Sequence, residues 1–162
     1  MSSGLLRANA RYNSVDYQPW YDHRNDAEAV ETAADMATYD HVDTNYWFYG
    51  HQSIADVTGM GNLHGVREMR HTFNSCTGLA EIDLSGLDPS SLEDLTYTFG
   101  GCGFLVTIRA DADWALTASG ILGFQTFYQC MSLVGGAGTT CASSCAGYQY
   151  MRSTAARRRR GT

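Results

Sequence analysis

The sequence has no long apolar stretch and no lysine. No stretch approaches the roughly 18 consecutive apolar residues that a membrane-spanning helix requires, and residues 1–10 lack the apolar core of a signal peptide. The lack of a membrane-spanning stretch and of a signal-peptide core predicts a soluble chain without a cleaved leader. This favours a phage structural protein released by lysis or an excised fragment. Every basic residue is an arginine, which we interpret as codon bias in a GC-rich genome.

Acidic residues outnumber basic ones, and the C-terminus holds a basic run. Arg157 to Arg160 supply four of the 11 basic residues, which leaves seven basic against 17 acidic residues in the rest of the chain. Phosphate contacts need a basic face, so nucleic-acid binding is not expected except through this run. We expect residues 153–162 to form a solvated Arg-rich tail, with a nonspecific anchor to DNA or to an acidic partner as the alternative.

A Phe-x-x-Cys pattern recurs along the chain at nearly constant spacing. Its copies are Phe73/Cys76, Phe99/Cys102 and Phe127/Cys130, and Phe48/His51 is a fourth copy with histidine in place of cysteine. The phenylalanines follow one another after 25, 26 and 28 residues, a period typical of stacked supersecondary units. Apolar positions in register after each anchor predict a short strand, and apolar spacings of three and four residues before it predict a helical turn.

Residues 73–99 carry the most specific motif of the chain. They read Phe-Asn-Ser-Cys-Thr-Gly-Leu-Ala-Glu-Ile-Asp-Leu-Ser-Gly-Leu-Asp-Pro-Ser-Ser-Leu-Glu-Asp-Leu-Thr-Tyr-Thr-Phe, which resembles the BspA-like leucine-rich repeat. The segment from residue 127, Phe-Tyr-Gln-Cys-Met-Ser-Leu-Val-Gly-Gly-Ala-Gly-Thr, is similar to a C-terminal unit of that family. The resemblance covers about residues 41–152 and implies a bacterial surface protein or phage-encoded protein that binds other molecules.

The pattern divides the chain into three regions. We predict an aromatic N-terminal arm over residues 1–24, a single leucine-rich-repeat domain over residues 25–152 and the Arg-rich tail. The fold class expected for the domain is an α/β solenoid of about three to four repeats with an N-terminal helical cap. Residues 25–39 are predicted to be this cap helix, because Asn25 and Glu28 have capping-box spacing and apolar residues recur on one face.

The Phe-x-x-Cys positions are expected to stack into a buried structural ladder. Cysteine in such a ladder behaves as a small hydrophobe, so we expect reduced thiols at Cys76, Cys102 and Cys130. His51 is expected to be partly buried and bonded to the backbone. The chain has five cysteines, an odd count that excludes a complete disulfide framework within one chain. Pairing of Cys141 and Cys145, with each other or with another chain, stays open.

No spacing of residues predicts a catalytic or metal centre. His64 and His71 are seven positions apart, but no third ligand follows at a metal-like spacing. Asp111 and Asp113 lack the remaining oxygen ligands of a calcium loop. We therefore predict a noncatalytic protein, with no catalytic residue, no metal site and no cofactor.

Two surfaces are candidates for binding. Strand residues point alternately inward and outward, which predicts a shallow, mostly acidic face; a merely solvated face is equally consistent. The residues of this face are Asp56, Glu81, Asp83 and Arg109. The N-terminal arm offers aromatic side chains that suit an interface, or that lie against the chain's own cap. They are Tyr12, Tyr17, Trp20 and Tyr21.

These features predict a noncatalytic binding or structural module of a phage particle or a bacterial surface. Its expected partner is a protein or glycan on a bacterial or host surface, and virion subunits or further copies of the chain are expected neighbours. Insertion into a membrane is not expected. The alternative is a purely architectural subunit, for decoration or assembly, without a ligand of its own.

Overall fold

The regular elements of the protein are short parallel strands and single turns of 3-10 helix. The computed structural model describes residues 18–111, 114, 116, 120–134 and 147–148. Its strands are β1 (Ala29–Glu31), β2 (Asp56–Thr58), β3 (Glu81–Asp83) and β4 (Thr107–Arg109), and its 3-10 turns are Tyr21–His23, Ala34–Thr38, Met60–Asn62 and Pro89–Ser91. Within these described ranges, no helix is long and apolar enough to cross a membrane.

The expected fold class, an α/β solenoid of leucine-rich repeats with a helical cap, is wrong. The described residues contain no helix of seven or more residues and only short pairs of parallel strands, and no solenoid is found in them. The helical turn predicted before each pattern phenylalanine is also missing, because Glu68 and Asp94 instead form a parallel β-bridge at that place. The apolar residues spaced three and four positions apart there, Val66, Met69 and Phe73, are buried without forming a helix.

The predicted cap helix over residues 25–39 is replaced by β1 and the 3-10 turn Ala34–Thr38. Its apolar face would consist mostly of alanine side chains, which bury little area, and an isolated helix of this length is marginal in water. Val30, a β-branched residue, lies opposite Val57 in the parallel pair of β1 and β2. Hydrogen bonds between segments therefore replace those within a helix.

The four strands form two separate parallel sheets. β1 pairs with β2, and β3 pairs with β4. In β2 and β3 the central residue is buried and its two neighbours are exposed, as the two-residue period of a strand requires. Ile82 of β3 lies opposite Ile108 of β4. Each sheet therefore joins two distant stretches of the chain through one central apolar pair.

Four further stretches, which we call anchor segments, lie parallel to one another. They are residues 44–51, 69–76, 95–102 and 123–130, and each contains one phenylalanine of the sequence pattern. Backbone N–H groups of one segment donate to carbonyl groups of the next at alternate residues. Phe48 N–H, for example, donates to Thr72 O, and Phe73 N–H donates to Thr98 O, both at 2.8 Å. Successive anchor segments are therefore held in a fixed register.

Stacked phenylalanine rings form the centre of the core. The rings of Phe48, Phe73, Phe99 and Phe127 follow one another with centroids 5.5, 5.5 and 5.7 Å apart, and each residue is at most 3% exposed. Beside them, Thr72, Thr98 and Thr126 donate their hydroxyl hydrogens to carbonyl groups of the preceding segment. These buried hydroxyls thus have the partners that burial of a polar group requires.

Candidate binding surface

The pattern cysteines lie inside the protein. Each thiol donates a hydrogen bond to a phenylalanine carbonyl of the preceding anchor segment, at 2.9 to 3.0 Å: Cys76 to Phe48, Cys102 to Phe73 and Cys130 to Phe99. Cys76 and Cys102 are free thiols without exposed surface. Burial raises the pKa of Cys76 to about 12 and also raises the pKa of Cys102. Both therefore stay protonated at neutral pH and are poor nucleophiles.

The charged strand residues predicted for this face are all exposed, and two of them form an ion pair. Arg109 forms a two-point ion pair with Glu81, with Nη2 3.0 Å from Oε2 and Nε 3.3 Å from Oε1. Asp83 accepts a hydrogen bond from Ser85 N–H at 2.8 Å, and the hydrogen bonds from Ser85 hold the pKa of Asp83 below its usual value. Asp56 lies in the other sheet. The expected acidic row is therefore divided between two sheets.

A cavity of about 290 Å³ lies where the loops after β2 and β3 meet. It is lined by Gly59, Gly61 and Asn62 on one side and by Asp83 and Ser85 on the other. Its volume falls just below the usual range for small-molecule sites, and Asp83, the one charged residue among its described lining, already bonds to Ser85. This cavity does not provide the convergent polar groups of a ligand site.

Trp20 and Tyr21 of the predicted arm pack against the chain's own first anchor segment. The indole N–H of Trp20 donates to Trp47 O, and the two indole rings meet edge to face with centroids 6.0 Å apart. Tyr21 meets His51 edge to face at 6.4 Å. Trp20 and Tyr21 thus pack against their own chain.

The predicted features outside the described residues are Tyr12, Tyr17, Asp113, Cys141, Cys145 and the Arg-rich tail.

A row of stacked aromatic side chains, which sequence analysis did not single out, crosses three anchor segments. This aromatic row consists of Tyr46, His71 and Tyr97, each two positions before a pattern phenylalanine. The His71 ring lies between the two tyrosine rings, with centroid distances of 4.8 and 5.1 Å and interplanar angles of 9° and 6°. All three residues are partly exposed.

In the part of the chain that the structure describes, no group of three His, Cys, Asp or Glu residues is placed to hold a metal ion.

The backbone of the aromatic row is left-handed at every position. The φ angles are 58° at Tyr46, 52° at His71 and 53° at Tyr97, and Gln125 has the equivalent place with φ 52°. Bulky residues rarely adopt this conformation. At Gly100 a Cβ atom would lie 2.7 Å from the Tyr97 ring, so the ring lies directly over the glycine backbone. Glycine or asparagine at these positions would have predicted a left-handed backbone from the sequence, whereas tyrosine and histidine do not.

Three more aromatic residues continue the row at both ends. Phe124 and Tyr128 meet Tyr97 edge to face at 5.8 and 5.9 Å, and Phe124 is 65% exposed. At the other end Tyr49 contacts Tyr46 at 5.8 Å. Together they form one continuous patch, the aromatic surface: Tyr46, Tyr49, His71, Tyr97, Phe124 and Tyr128.

Polar side chains beside the aromatic surface are mostly paired with one another. Arg70 Nε lies 4.0 Å from Asp94 Oδ2, and Asn45 Nδ2 donates to Glu68 Oε2 at 2.6 Å. Burial of the aromatic surface would therefore leave these ionic and amide groups with their partners. The patch offers rings and tyrosine hydroxyl groups rather than unpaired charge.

We expect His51 and His71 to make the stability of the protein depend on pH. Burial lowers the pKa of both below the ordinary 6.5, because it disfavours the charged imidazole. Below about pH 6.5 the unfolded chain therefore binds more protons than the folded protein. We expect the stability contributed by the uncharged state of these two histidines to be fully present above that pH and to be lost progressively as the pH falls from 6.5 toward the lower folded pKa values. Urea unfolding at about pH 7.5 and about pH 5 should show a lower midpoint at the acidic value.

Substitutions copied from equivalent places in other anchor segments test the origin of this acid sensitivity. His71→Tyr copies Tyr46 and Tyr97, and His51→Cys copies the ladder cysteines. The double variant should lose much of the difference between the two urea midpoints. The exposed His64→Gln is the control and should retain the difference. An undiminished difference in the double variant would assign the acid sensitivity to other groups.

The aromatic surface is the feature of the described residues best suited to recognition. It joins four anchor segments, whereas the expected acidic face is divided and the pattern thiols are buried. No family model, curated protein or solved structure matches this chain.

Proposed function

We propose that this protein is a noncatalytic binding module that recognises a protein partner through the aromatic surface. The observation that carries the proposal is the continuous set of ring contacts from Tyr49 to Phe124. Aromatic side chains contribute large contact areas at interfaces and are enriched there. Residues in rare backbone conformations cluster at functional sites, and the aromatic row has such a conformation at each position.

The ring geometry favours a protein over a glycan. Sugars stack their C–H groups on the open faces of aromatic rings, but the stack covers both faces of His71 and one face each of Tyr46 and Tyr97. The row therefore leaves at most one face of each tyrosine ring open to a sugar. Phe124 at 65% exposure and Leu122 at 61% add apolar area next to it. Such a patch suits the apolar side chains of a protein interface.

The proposed setting is a phage particle or a bacterial surface. Its support is the resemblance of about residues 41–152 to BspA-like leucine-rich repeats, carried by the motif of residues 73–99. A purely architectural role through the N-terminal arm has less support, because Trp20 and Tyr21 pack on the chain's own first anchor segment.

Retention of surface and particle proteins by the immobilised full chain tests the proposal. The test variant carries Phe124→Ser and Tyr128→Ser; the control carries Phe104→Ser, at a phenylalanine that is 70% exposed and lies outside the aromatic surface. Envelope and sedimented-particle fractions of the producing culture are passed over immobilised wild type, test variant and control, and the retained proteins are quantified by mass spectrometry. We expect one protein to be retained by wild type and control and about tenfold less by the test variant.

Treatment of the fractions separates the partner classes. Protease digestion should abolish retention, whereas periodate oxidation of sugars should leave it unchanged. Retention that survives protease and is lost after periodate would replace the protein partner with a glycan. Equal retention by the test variant and the control, or none by wild type, would contradict a role of the aromatic surface in binding.

A further inference from the structure

The strand β1 lies at an open edge of its sheet. The cap helix predicted over residues 25–39 would have covered this end of the protein, but β1 lies there instead and, among the described strands, pairs with β2 alone. An edge strand leaves one row of backbone N–H and C=O groups unpaired, and such a row recruits a further strand unless it is covered or repelled by charge. The groups along β1 therefore decide what this edge binds.

The backbone of β1 is hydrogen-bonded on one side and free on the other. The Glu28 carbonyl and the Thr32 N–H bond to the β2 stretch, at 2.8 and 2.9 Å. Because alternate residues of a parallel pair bond to the same neighbour, Ala29 and Glu31 direct their backbone groups away from β2. These groups have no hydrogen-bond partner within the described ranges, and both residues are exposed. The edge thus offers two N–H donors and two carbonyl acceptors.

The side chains around this edge are acidic and have no counter-charge. Residues 22–35 contain five acidic residues and one arginine, and that residue, Arg24, lies over the Tyr21 ring. The exposed Glu28 and Glu31 form no ion pair with any residue that the structure describes. The chain as a whole has a net charge of −6, so these carboxylates repel a second copy and attract a basic partner.

Val30 adds an apolar requirement to the edge. It packs against the core but is only partly buried, whereas Val57, which lies opposite it in β2, is 3% exposed. Side chains of a strand alternate between the two faces of the sheet. A strand added at β1 would therefore place every second side chain on the face of Val30 and the others on the face of Glu31. The edge fits a strand whose apolar and basic residues alternate.

We propose that β1 binds an extended segment of a partner protein, with alternating basic and apolar residues, as an additional strand. Main-chain hydrogen bonds to Ala29 and Glu31 hold the segment, and its side chains supply the selectivity, which is the usual division of roles in strand addition. This binding uses no residue of the aromatic surface, so it stands or falls independently of the proposed function.

Fluorescence anisotropy with a labelled peptide and the full chain tests the chemistry of the partner. The probe is the hexapeptide Arg-Val-Arg-Val-Arg-Val, and two comparison peptides carry threonine or glutamate in place of every arginine. We expect the arginine peptide to bind and the other two to bind at least tenfold more weakly. Equal affinity for all three peptides, or no binding of the arginine peptide, would overturn the proposal.

Two double variants with the same change of net charge locate the binding site. Glu28→Gln with Glu31→Gln should weaken binding of the arginine peptide about fivefold. Asp40→Asn with Glu93→Gln alters exposed carboxylates outside β1 and should leave the affinity within about twofold of wild type. An equal loss in the two double variants would mean that the peptide responds to the charge of the whole chain, and would overturn a site at β1.

Backbone measurements separate strand addition from charge attraction. Two further peptides are N-methylated at the arginines or at the valines, which keeps every charge, and one of them should lose binding because only alternate residues of an added strand bond to β1. Binding of both as tightly as the parent would overturn strand addition. These peptides are tested on the unaltered protein, so the result does not depend on how any variant folds.

Amide hydrogen exchange followed by NMR reports on the edge itself. The N–H groups of Ala29 and Glu31 should exchange quickly in the free protein and at least tenfold more slowly with saturating arginine peptide. Slow exchange at both amides in the free protein would mean that the chain itself or a second copy occupies the edge, and would overturn the proposal. Unchanged exchange at both amides with bound peptide would do the same.

Discussion

Replacing Phe73 with alanine is expected to lower the free energy of unfolding by about 3–5 kcal/mol. Phe73 has no exposed surface, and its ring stacks on Phe48 and Phe99 with both centroids 5.5 Å away. Removing the ring leaves a cavity whose lining cannot collapse easily, because backbone hydrogen bonds fix the register of the anchor segments on both sides. Urea unfolding followed by circular dichroism measures the loss.

Phe104→Ala is the matched control for this prediction. It removes the same ring from a residue that is 70% exposed, so the change should stay within about 0.5 kcal/mol. A second variant, Phe73→Leu, keeps most of the apolar volume and should fall between wild type and Phe73→Ala. Similar midpoints for Phe73→Ala and Phe104→Ala would contradict a core built around stacked phenylalanines.

The spacing of the Phe-x-x-Cys pattern predicted which positions are buried, but it did not predict the secondary structure between them. Of the apolar residues aligned on the Phe-x-x-Cys anchor, Leu79, Ile82 and Leu105 are at most 1% exposed, whereas Ile108 and Leu133 are partly buried. Burial recurs at this period because each stretch lies beside the next in fixed register. The same positions do not specify whether the intervening backbone is helical or extended, and the predicted helical turns and cap helix were wrong for this reason.

The aromatic row escaped sequence analysis because its backbone breaks a local rule. Left-handed backbone positions are usually predicted from glycine or asparagine, but the left-handed positions of the row, Tyr46, His71 and Tyr97, carry bulky aromatic side chains. Contacts between segments, namely ring stacking and the backbone bonds on either side of each ring, hold them there. Those contacts arise between residues about 25 positions apart and leave no local signal. The alignment that brought out the phenylalanines would have shown the row two positions earlier.

Ile82→Asp in β3 is the second substitution with a large expected effect, because it should prevent cooperative folding. Ile82 is the central residue of β3, is 1% exposed and lies opposite Ile108 of β4. An aspartate at this place would bury a carboxylate among apolar side chains without a cationic partner, which costs far more than a lost apolar contact. Turning the strand over to expose the carboxylate would move the exposed Glu81 and Asp83 into the core.

Ala80→Asp separates this effect of burial from the effect of added charge. It introduces the same carboxylate two residues earlier, at an exposed position of the same stretch. The two variants have the same net charge, so electrostatic repulsion across the whole protein is matched. Thermal unfolding followed by circular dichroism should show a cooperative transition for Ala80→Asp and none for Ile82→Asp. A cooperative transition near the wild-type temperature in Ile82→Asp would show that this side chain does not face the core, and the register of β3 against β4 would then have to be reassigned.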